Sequence, residues 1–538
     1  MKTVALVLVF AALVAAHRNR GGFKNDRNNR NGHNGHNGHN GGDRPPWNHK
    51  PPGHSTKPNV IMLFADDLGF GDLFSYGHPT QERGPIDELA DNGLRFINAY
   101  SSDSVCSPSR VGMLTGRLPV RVGAWGEKSR VFLDNAVNGL PRSEFNMAEA
   151  FKAGGYTTGM VGKWHLGINK ETSSDGYHLP HNQGFDFVGH MVPFGGSLAC
   201  DLNGRYEGAP VVSKCSLYYG DKIIAQPYQQ ENLTLSFIND ITKFIKDNQD
   251  GPFFMYYAMM HPHVPMFSSA QFHGKSKRGP FGDNINEMAW SAGEIVSLLK
   301  ELKIDTNTLI VFTSDHGPHL EYCLEGGNKG IFRGSKGNSY EGGFRVPLIT
   351  YWPGHIAPGI SREIISALDF LPSFASLAGS RLPKDRVYDG SDSSGVLLGT
   401  TKSTRNSIFF YNRDSLMAVR YGKYKLHYLT LIDPTPAEMS KKCLQPEGYV
   451  NKHYFACDGW RSSSDCVTAH DPPLIYDLEF DPIESFPLDP ADYVKLLRDA
   501  GELIKDHNAH LDRPPPLMDE MNDSVTPCCG DSCHCNFP

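Results

Sequence analysis

Two pairs in the sequence carry groups able to hold a cation: Asp66-Asp67 and Asp315-His316. Adjacent carboxylates repel unless a cation or a proton separates them, so the first pair points to a bound divalent ion. Asp315 adds an oxygen ligand and His316 a nitrogen; an oxygen-rich set suits calcium or magnesium, whereas zinc favours more His or Cys. An Asp-Asp pair alone would serve equally well as a turn and helix cap. Two further groups, Lys163-Trp164-His165 and His261-Pro262-His263, cluster ionisable side chains in the same way. The chain also has 11 cysteines, an odd number that leaves one thiol without a partner inside the chain.

Each of these groups follows a continuous apolar run: Asn59 to Phe64, Thr158 to Gly162, Phe253 to Met260, and Leu309 to Thr313. Such runs suit strands buried on both faces of a largely parallel sheet. Ligands in open α/β sheets sit outside the carboxyl ends of the strands, so four strands ending in ionisable residues predict one shared polar site. That convergence favours the metal reading of the acid pairs. A helical period runs through Ile285, Met288, Ala289, Ile295, Leu298, Leu299 and Leu302, with Asp283 placed as its cap. After about Gly399 the runs shorten to Ser407–Tyr411, Ser415–Tyr421 and Tyr424–Tyr428, which predicts a small antiparallel sheet packed on an α/β domain.

With 39% hydrophobic and 21% charged residues and a formal net charge of -7, disorder along the whole length of 538 residues is excluded. Residues 1–16, with Lys2, an apolar stretch from Val4 to Leu13 and small residues at the end, read as a cleaved secretory signal. No later run offers about 20 uninterrupted apolar residues, so no membrane span is expected. Residues 17–57, rich in Arg, Asn, Gly and His, hold almost no aliphatic side chain and are expected to be disordered. Eight Lys or Arg against two Asp give this arm +6, and residues 58–538 then carry -14. A cationic arm on an acidic body could tether the protein to sulfated extracellular polysaccharide, although a solvated low-complexity linker is the simpler reading. In an oxidising compartment, disulfides are the default for cysteine, and Asn232 and Asn522 lie in sequons for N-glycans. The tail pattern of Cys528, Cys529, Cys533 and Cys535 could mimic a zinc cluster, but secretion favours disulfides.

One segment identifies the odd cysteine. Cys106-Ser107-Pro108-Ser109-Arg110, continuing to Leu114-Thr115-Gly116-Arg117, resembles the C-x-P-S-R-x-x-x-L-T-G-R signature of sulfatases at every fixed position. Gly155-Tyr156-Thr157-Thr158 through Gly162-Lys163-Trp164-His165-Leu166-Gly167 resembles the second signature of that family. The likeness continues through Ser335-Lys336-Gly337, Tyr340 to Pro347, Tyr351 to His355, Tyr476-Asp477-Leu478 and Asp481-Pro482, and spans about Pro58 to the C-terminus.

The resemblance implies an arylsulfatase-type, formylglycine-dependent enzyme. Its expected fold is α/β, an alkaline-phosphatase-like large mixed sheet flanked by helices, with a smaller C-terminal domain containing an antiparallel sheet. The expected layout is a signal at 1–16, the basic segment at 17–57, a catalytic domain at 58–399 and a C-terminal subdomain with a cysteine-rich tail at 400–538. Cys106 matches the cysteine that is oxidised during secretion, by a formylglycine-generating enzyme, to an aldehyde whose hydrate attacks sulfur. Asp66, Asp67, Asp315 and His316, with the modified Cys106, match the ligands of one divalent ion, calcium first and magnesium second. Arg110 matches the arginine that steadies the modified side chain, and His165 the histidine bonded to its hydrate. Lys163 and Lys336 match the lysines on the sulfate oxygens, and His263 matches a leaving-group histidine, with His261 as the competing choice. A further substrate-side polar position falls near Pro180 and His181 and receives no residue. Removing Cys106 leaves ten cysteines, enough for five disulfides, with Cys323 left open as a free thiol.

The substrate implied is a sulfated small molecule or glycan, and the location secreted, with a lysosomal destination as the alternative. Nothing points to nucleic acid. Two rivals stand beside this reading: a phosphoester or phosphonate hydrolase of the same fold, and a matrix protein that binds sulfated polysaccharide.

Overall fold

The computed structural model describes residues 57–194, 200, 215–432, 443, 466–530 and 533–536. The expectations for the signal and the basic arm fall on residues outside that set. The first strands are β1 (Asn59–Ala65), β2 (Leu94–Phe96), β3 (Ala99–Tyr100), β4 (Thr157–Lys163), β5 (Phe187–Val192), β6 (Leu217–Tyr219), β7 (Lys222–Gln226), β8 (Phe253–Ala258) and β9 (Thr308–Ser314). They are followed by β10 (Leu348–Tyr351), β11 (Gly359–Ser361), β12 (Ile365–Ser366), β13 (Ser407–Asn412), β14 (Ser415–Tyr421), β15 (Tyr424–Leu431), β16 (Val467–Asp477) and β17 (Cys535–Asn536).

Eleven of these form one sheet in the order β11-β2-β10-β9-β1-β8-β4-β5-β6-β7-β17. At its centre β9, β1, β8, β4 and β5 are parallel, whereas β10 and β6 pair antiparallel with their neighbours, so the sheet is mixed. Its apolar runs are continuous because both faces are covered. Val60, Met62 and Phe64 point into one core, and Ile61, Leu63 and Ala65 into the other. The helices Pro85–Asn92, Leu233–Asp247 and Pro280–Glu301 supply apolar stripes to the second core, and Cys106–Thr115, Met147–Ala153 and Phe370–Ala378 supply the first.

The helix expected after Asp283 begins earlier, at Pro280 with Gly279 as its cap. Asp283 instead accepts hydrogen bonds from the backbone N–H groups of Gly274, Lys275 and Ser276 at 2.7–2.9 Å, bracing the preceding turn. Proline at the first helical position, where no N–H is needed, explains the early start.

The separate antiparallel sheet is present and has four strands, β13-β14-β15-β16; β16 completes it from a segment not read as a strand. The tail returns to the large sheet, where β17 pairs antiparallel with β7. Its cysteines form the disulfides Cys528–Cys533 and Cys529–Cys535. Cys200 pairs with Cys215, and Cys323, left open above, pairs with Cys443. Cys466 is also disulfide-bonded. Among the described residues, Cys106 alone is a free cysteine, and it is buried.

Candidate active site

Because β9, β1, β8 and β4 are adjacent and parallel, their carboxyl ends bring Asp315-His316, Asp66-Asp67, His261-His263 and Lys163-His165 to one edge. Local backbone then aims the side chains. A bulge in β4 between Met160 and Gly162 bends the strand end just before Lys163. Only glycine fits there, since a Cβ at φ +99° would lie 1.9 Å from the carbonyl oxygen of Ala258. Asp67 (φ 61°) and His165 (φ 59°) hold left-handed conformations that non-glycine residues adopt when their surroundings impose them.

Cys106 opens the helix Cys106–Thr115, all ten residues of which are buried although several are polar. The strand ends satisfy them. Ser107 Oγ donates to the His165 carbonyl (2.8 Å) and Ser109 Oγ to that of Asp315 (2.5 Å). Arg110, one turn after Cys106 and fully buried, donates through Nη2 to Asp66 Oδ1 (3.2 Å) and Asp315 Oδ2 (2.9 Å), with its guanidinium 5.2 Å over the Phe64 ring. Cys106 Sγ lies 3.2 Å from His316 Nε2 and 4.0 Å from Asp67 Oδ1.

Two ammonium groups close the cluster. Lys163 Nζ donates to Asp66 Oδ2 at 2.5 Å, and Lys336 Nζ to both oxygens of Asp67 at 2.7 and 2.9 Å. Burial alone would raise the Asp66 carboxyl, but Lys163, His263 and Arg110 hold it well below the carboxylate range. Lys336, His263 and His316 do the same for Asp67 against its burial. Burial wins at Asp315, which is pushed up despite His316 and Arg110. Three carboxylates face three fixed cations, so the side chains are close to balance by themselves.

Around this charge lie the histidines. Burial, with Lys163 and Arg110 nearby, holds His165 well below its ordinary range and hence neutral. Neither of its ring nitrogens has a hydrogen-bond partner, though the ring is buried against Phe194 at 5.2 Å. A buried imidazole in that state asks for a ligand partner. His263 presents Nε2 3.6 Å from Asp67 Oδ2 and is partly open. His261 turns away: its ring packs 4.6 Å from Phe267, its carbonyl accepts from Asp66 N, and burial lowers it to about 3. The structure also brings in His319, which the sequence reading did not single out. Its Nδ1 is 3.7 Å from Asp67 Oδ2 and its Nε2 3.5 Å from Glu321. The only cue was its place three residues past His316, on a turn whose direction spacing does not give.

The donor set fits one divalent ion. Donor atoms of Asp66, Asp67, Cys106 and His263 lie within 4.8 Å of one another, as do those of Cys106, Asp315 and His316. Carboxylate oxygens dominate, as a hard cation requires, and the one misfit is the soft Sγ of Cys106. An oxygen at that position would complete the set.

A buried free cysteine at a helix start, with anchored lysines and buried acids at the carboxyl edge of a mixed sheet, suits the handling of a tetrahedral oxyanion ester. Comparisons with known proteins narrow the class. Residues 58–380 match the Sulfatase family and residues 403–537 the "C-terminal region of aryl-sulfatase". The chain is 49% identical to an arylsulfatase of Hemicentrotus pulcherrimus, over 89% of this chain and 87% of that one. It is 40% identical to arylsulfatase A of Homo sapiens, over 80% of this chain and 83% of that one. A crystal structure of a sulfatase from Pseudoalteromonas sp. superposes with a TM-score of 0.70 at 27% identity, covering 86% of this chain and 91% of that chain. The chain therefore belongs to the sulfatase family, and it is a sulfuric-ester hydrolase of the arylsulfatase type.

Proposed function

We propose that the protein is a secreted arylsulfatase that works with Cys106 as formylglycine and with one divalent ion held by Asp66, Asp67, Asp315 and His316 together with the modified residue. The observation that carries this reading is Cys106 itself: a buried cysteine outside every disulfide among the described residues, with its Sγ facing Asp67 and His316. When bound, the ion, calcium first and magnesium second, adds positive charge for the ester oxygens, and the aldehyde hydrate supplies a nucleophile that a thiol does not offer.

The chain's own residues do the rest. Arg110 fixes Asp66 and Asp315 and keeps the start of the helix in register. Lys163 and Lys336 hold sulfate oxygens and offset the negative charge those oxygens carry. Neutral His165 accepts a proton from a hydroxyl at position 106, and His263, partly open, donates one to the departing oxygen through Nε2. The disulfides and the N-terminal signal pattern support an oxidising destination, and exposed Asn232 and Asn522 support glycan attachment. No helix among the described residues is long and apolar enough to cross a membrane. A solvated linker is the simpler reading of the basic arm; a tether to sulfated polysaccharide is the alternative, under which deleting residues 17–57 weakens salt-sensitive adhesion while leaving hydrolysis intact.

The mass of the peptide that spans Cys106 tests the reading: an aldehyde in place of the thiol removes two hydrogens and exchanges sulfur for the lighter oxygen, and the mass falls accordingly. An unmodified thiol or a disulfide there overturns the nucleophile assignment. Parallel turnover of an aryl sulfate and an aryl phosphate tests the chemistry, and a large preference for phosphate would favour the phosphoester rival.

A further inference from the structure

Lys336 sits in the segment 333–343, which ends in the short helix Glu341–Phe344. Beneath that segment, apart from the donor cluster, lies a second set of charges. Glu341, Lys425, His427 and Glu484 are each 0% exposed, and Arg345 and Arg420 nearly so. Lys425 and His427 stand two residues apart on β15, so the pleat puts both on one face of the small sheet. Lys425 Nζ donates to Glu341 Oε1 at 2.9 Å and lies 3.3 Å from Glu484 Oε1, which is 2.7 Å from His427 Nε2. Glu341 Oε2 accepts from Tyr100 OH and from Arg345 Nε, each at 2.7 Å.

Glu484 joins this network to the lysine segment at both ends. Its Oε2 accepts from the backbone N–H of Glu341 at 2.7 Å, and its carbonyl accepts from Arg333 Nη1 at 3.4 Å. The Arg333 guanidinium lies 4.0 Å over the Tyr340 ring, and the His427 ring lies 4.7 Å from that ring. Between these anchors, Lys336 N donates to the Pro318 carbonyl at 2.9 Å and Gly337 N to that of Ser104 at 2.8 Å, joining the segment to the loops on either side of the site. Glu484 holds a left-handed conformation (φ 52°), which its surroundings must impose. Replacing a buried ion network by apolar groups is often neutral or stabilising, and in some proteins such networks are kept because they fix one geometry.

We propose that Glu484, backed by Lys425, is a positioning residue that sets Lys336 against the sulfate oxygens, so that the small antiparallel sheet is a working part of the active site. This rests on the assignment of Lys336 to the sulfate. The test is a double-mutant cycle on the full chain with inorganic sulfate as probe, read as its inhibition constant against aryl sulfate hydrolysis and as the thermal shift it produces. Lys336→Met and Glu484→Ala should each weaken sulfate about ten- to a hundredfold, as misplacement of a binding group does, raising KM more than they lower kcat. In the Lys336→Met background, Glu484→Ala should cost sulfate affinity nothing more. Glu484→Gln keeps an acceptor for the Glu341 N–H and should recover most of the loss; Glu484→Asp, whose shorter side chain withdraws that acceptor, replaces Glu484→Ala in the cycle if that variant does not fold. Additive losses, or a lowered Tm with unchanged sulfate inhibition, overturn the proposal. If Lys336→Met alone leaves sulfate inhibition unchanged, it is the assignment of Lys336 that fails.

Discussion

Asp67 gathers Lys336, His263, His316 and His319 around one carboxylate, and the two histidines of the β8 loop differ in what surrounds them. His263 opens toward the site, whereas His261 is a structural ring on Phe267. His263→Ala should lower kcat about 10²–10⁴-fold for alkyl sulfates, whose leaving oxygen needs a proton, and much less for 4-nitrophenyl sulfate. His261→Ala should lower Tm while leaving kcat within a few-fold; equal effects of both variants on the poor leaving group would refute the assignment. Side-chain types and motif spacing were legible here: Asp66, Asp67, Cys106, Arg110, Lys163, Asp315, His316 and Lys336 all meet within a few ångströms. His319 was not, because a turn leaving the β9 end decides whether a residue three positions on faces inward.

At the scale of elements, the site depends on strands that end at the same level and on one bulge. Gly162→Ala puts a Cβ 1.9 Å from the Ala258 carbonyl in a positive-φ conformation, so β8 and β4 must part. Urea denaturation should show a loss of about 2–4 kcal/mol, and the displaced Lys163 should lower kcat/KM further than the stability loss explains. A Cβ added at Gly343, on the lysine segment, would lie 2.1 Å from the Asn338 carbonyl oxygen. The apolar runs announced β1, β4, β8 and β9, but β16 escaped notice because polar residues and two prolines interrupt its apolar positions and its ladder forms with β15, far away in sequence.

At the scale of the whole molecule, the C-terminal region is tied to segments that flank the site by the charges under Lys336 and by Cys323–Cys443, which joins residues 120 apart. Replacing both of these cysteines by Ser should cost about 2–5 kcal/mol, read as a lowered denaturation midpoint. A second prediction concerns acid. His507, on the helix Val494–Ala509, stacks on Phe409 at 3.8 Å, and burial, with Arg121 and Arg513 adding to it against Asp389, lowers it to about 4. Below about 6.5 the unfolded chain takes up a proton there that the folded chain refuses, so this contribution is complete above 6.5 and is lost as pH falls to about 4. His507→Gln should therefore flatten the fall of Tm between pH 6.5 and 4.5; an unchanged slope would count against it.

Sequence alone determined the chemistry on offer: an acid pair and an acid-histidine pair at strand ends, a signature helix with the odd cysteine at its start, and lysines at fixed spacing. Such local patterns survive in one dimension because strand period, helix turn and motif spacing are short-range properties. Tertiary structure decided which of His261 and His263 faces the acids, that His319 joins them, that Cys323 is tied to Cys443, and that Glu484 reaches under the loop of Lys336. Each of these contacts depends on segments far apart in the chain, and their approach is set by packing on both faces of the sheet rather than by any neighbour in sequence.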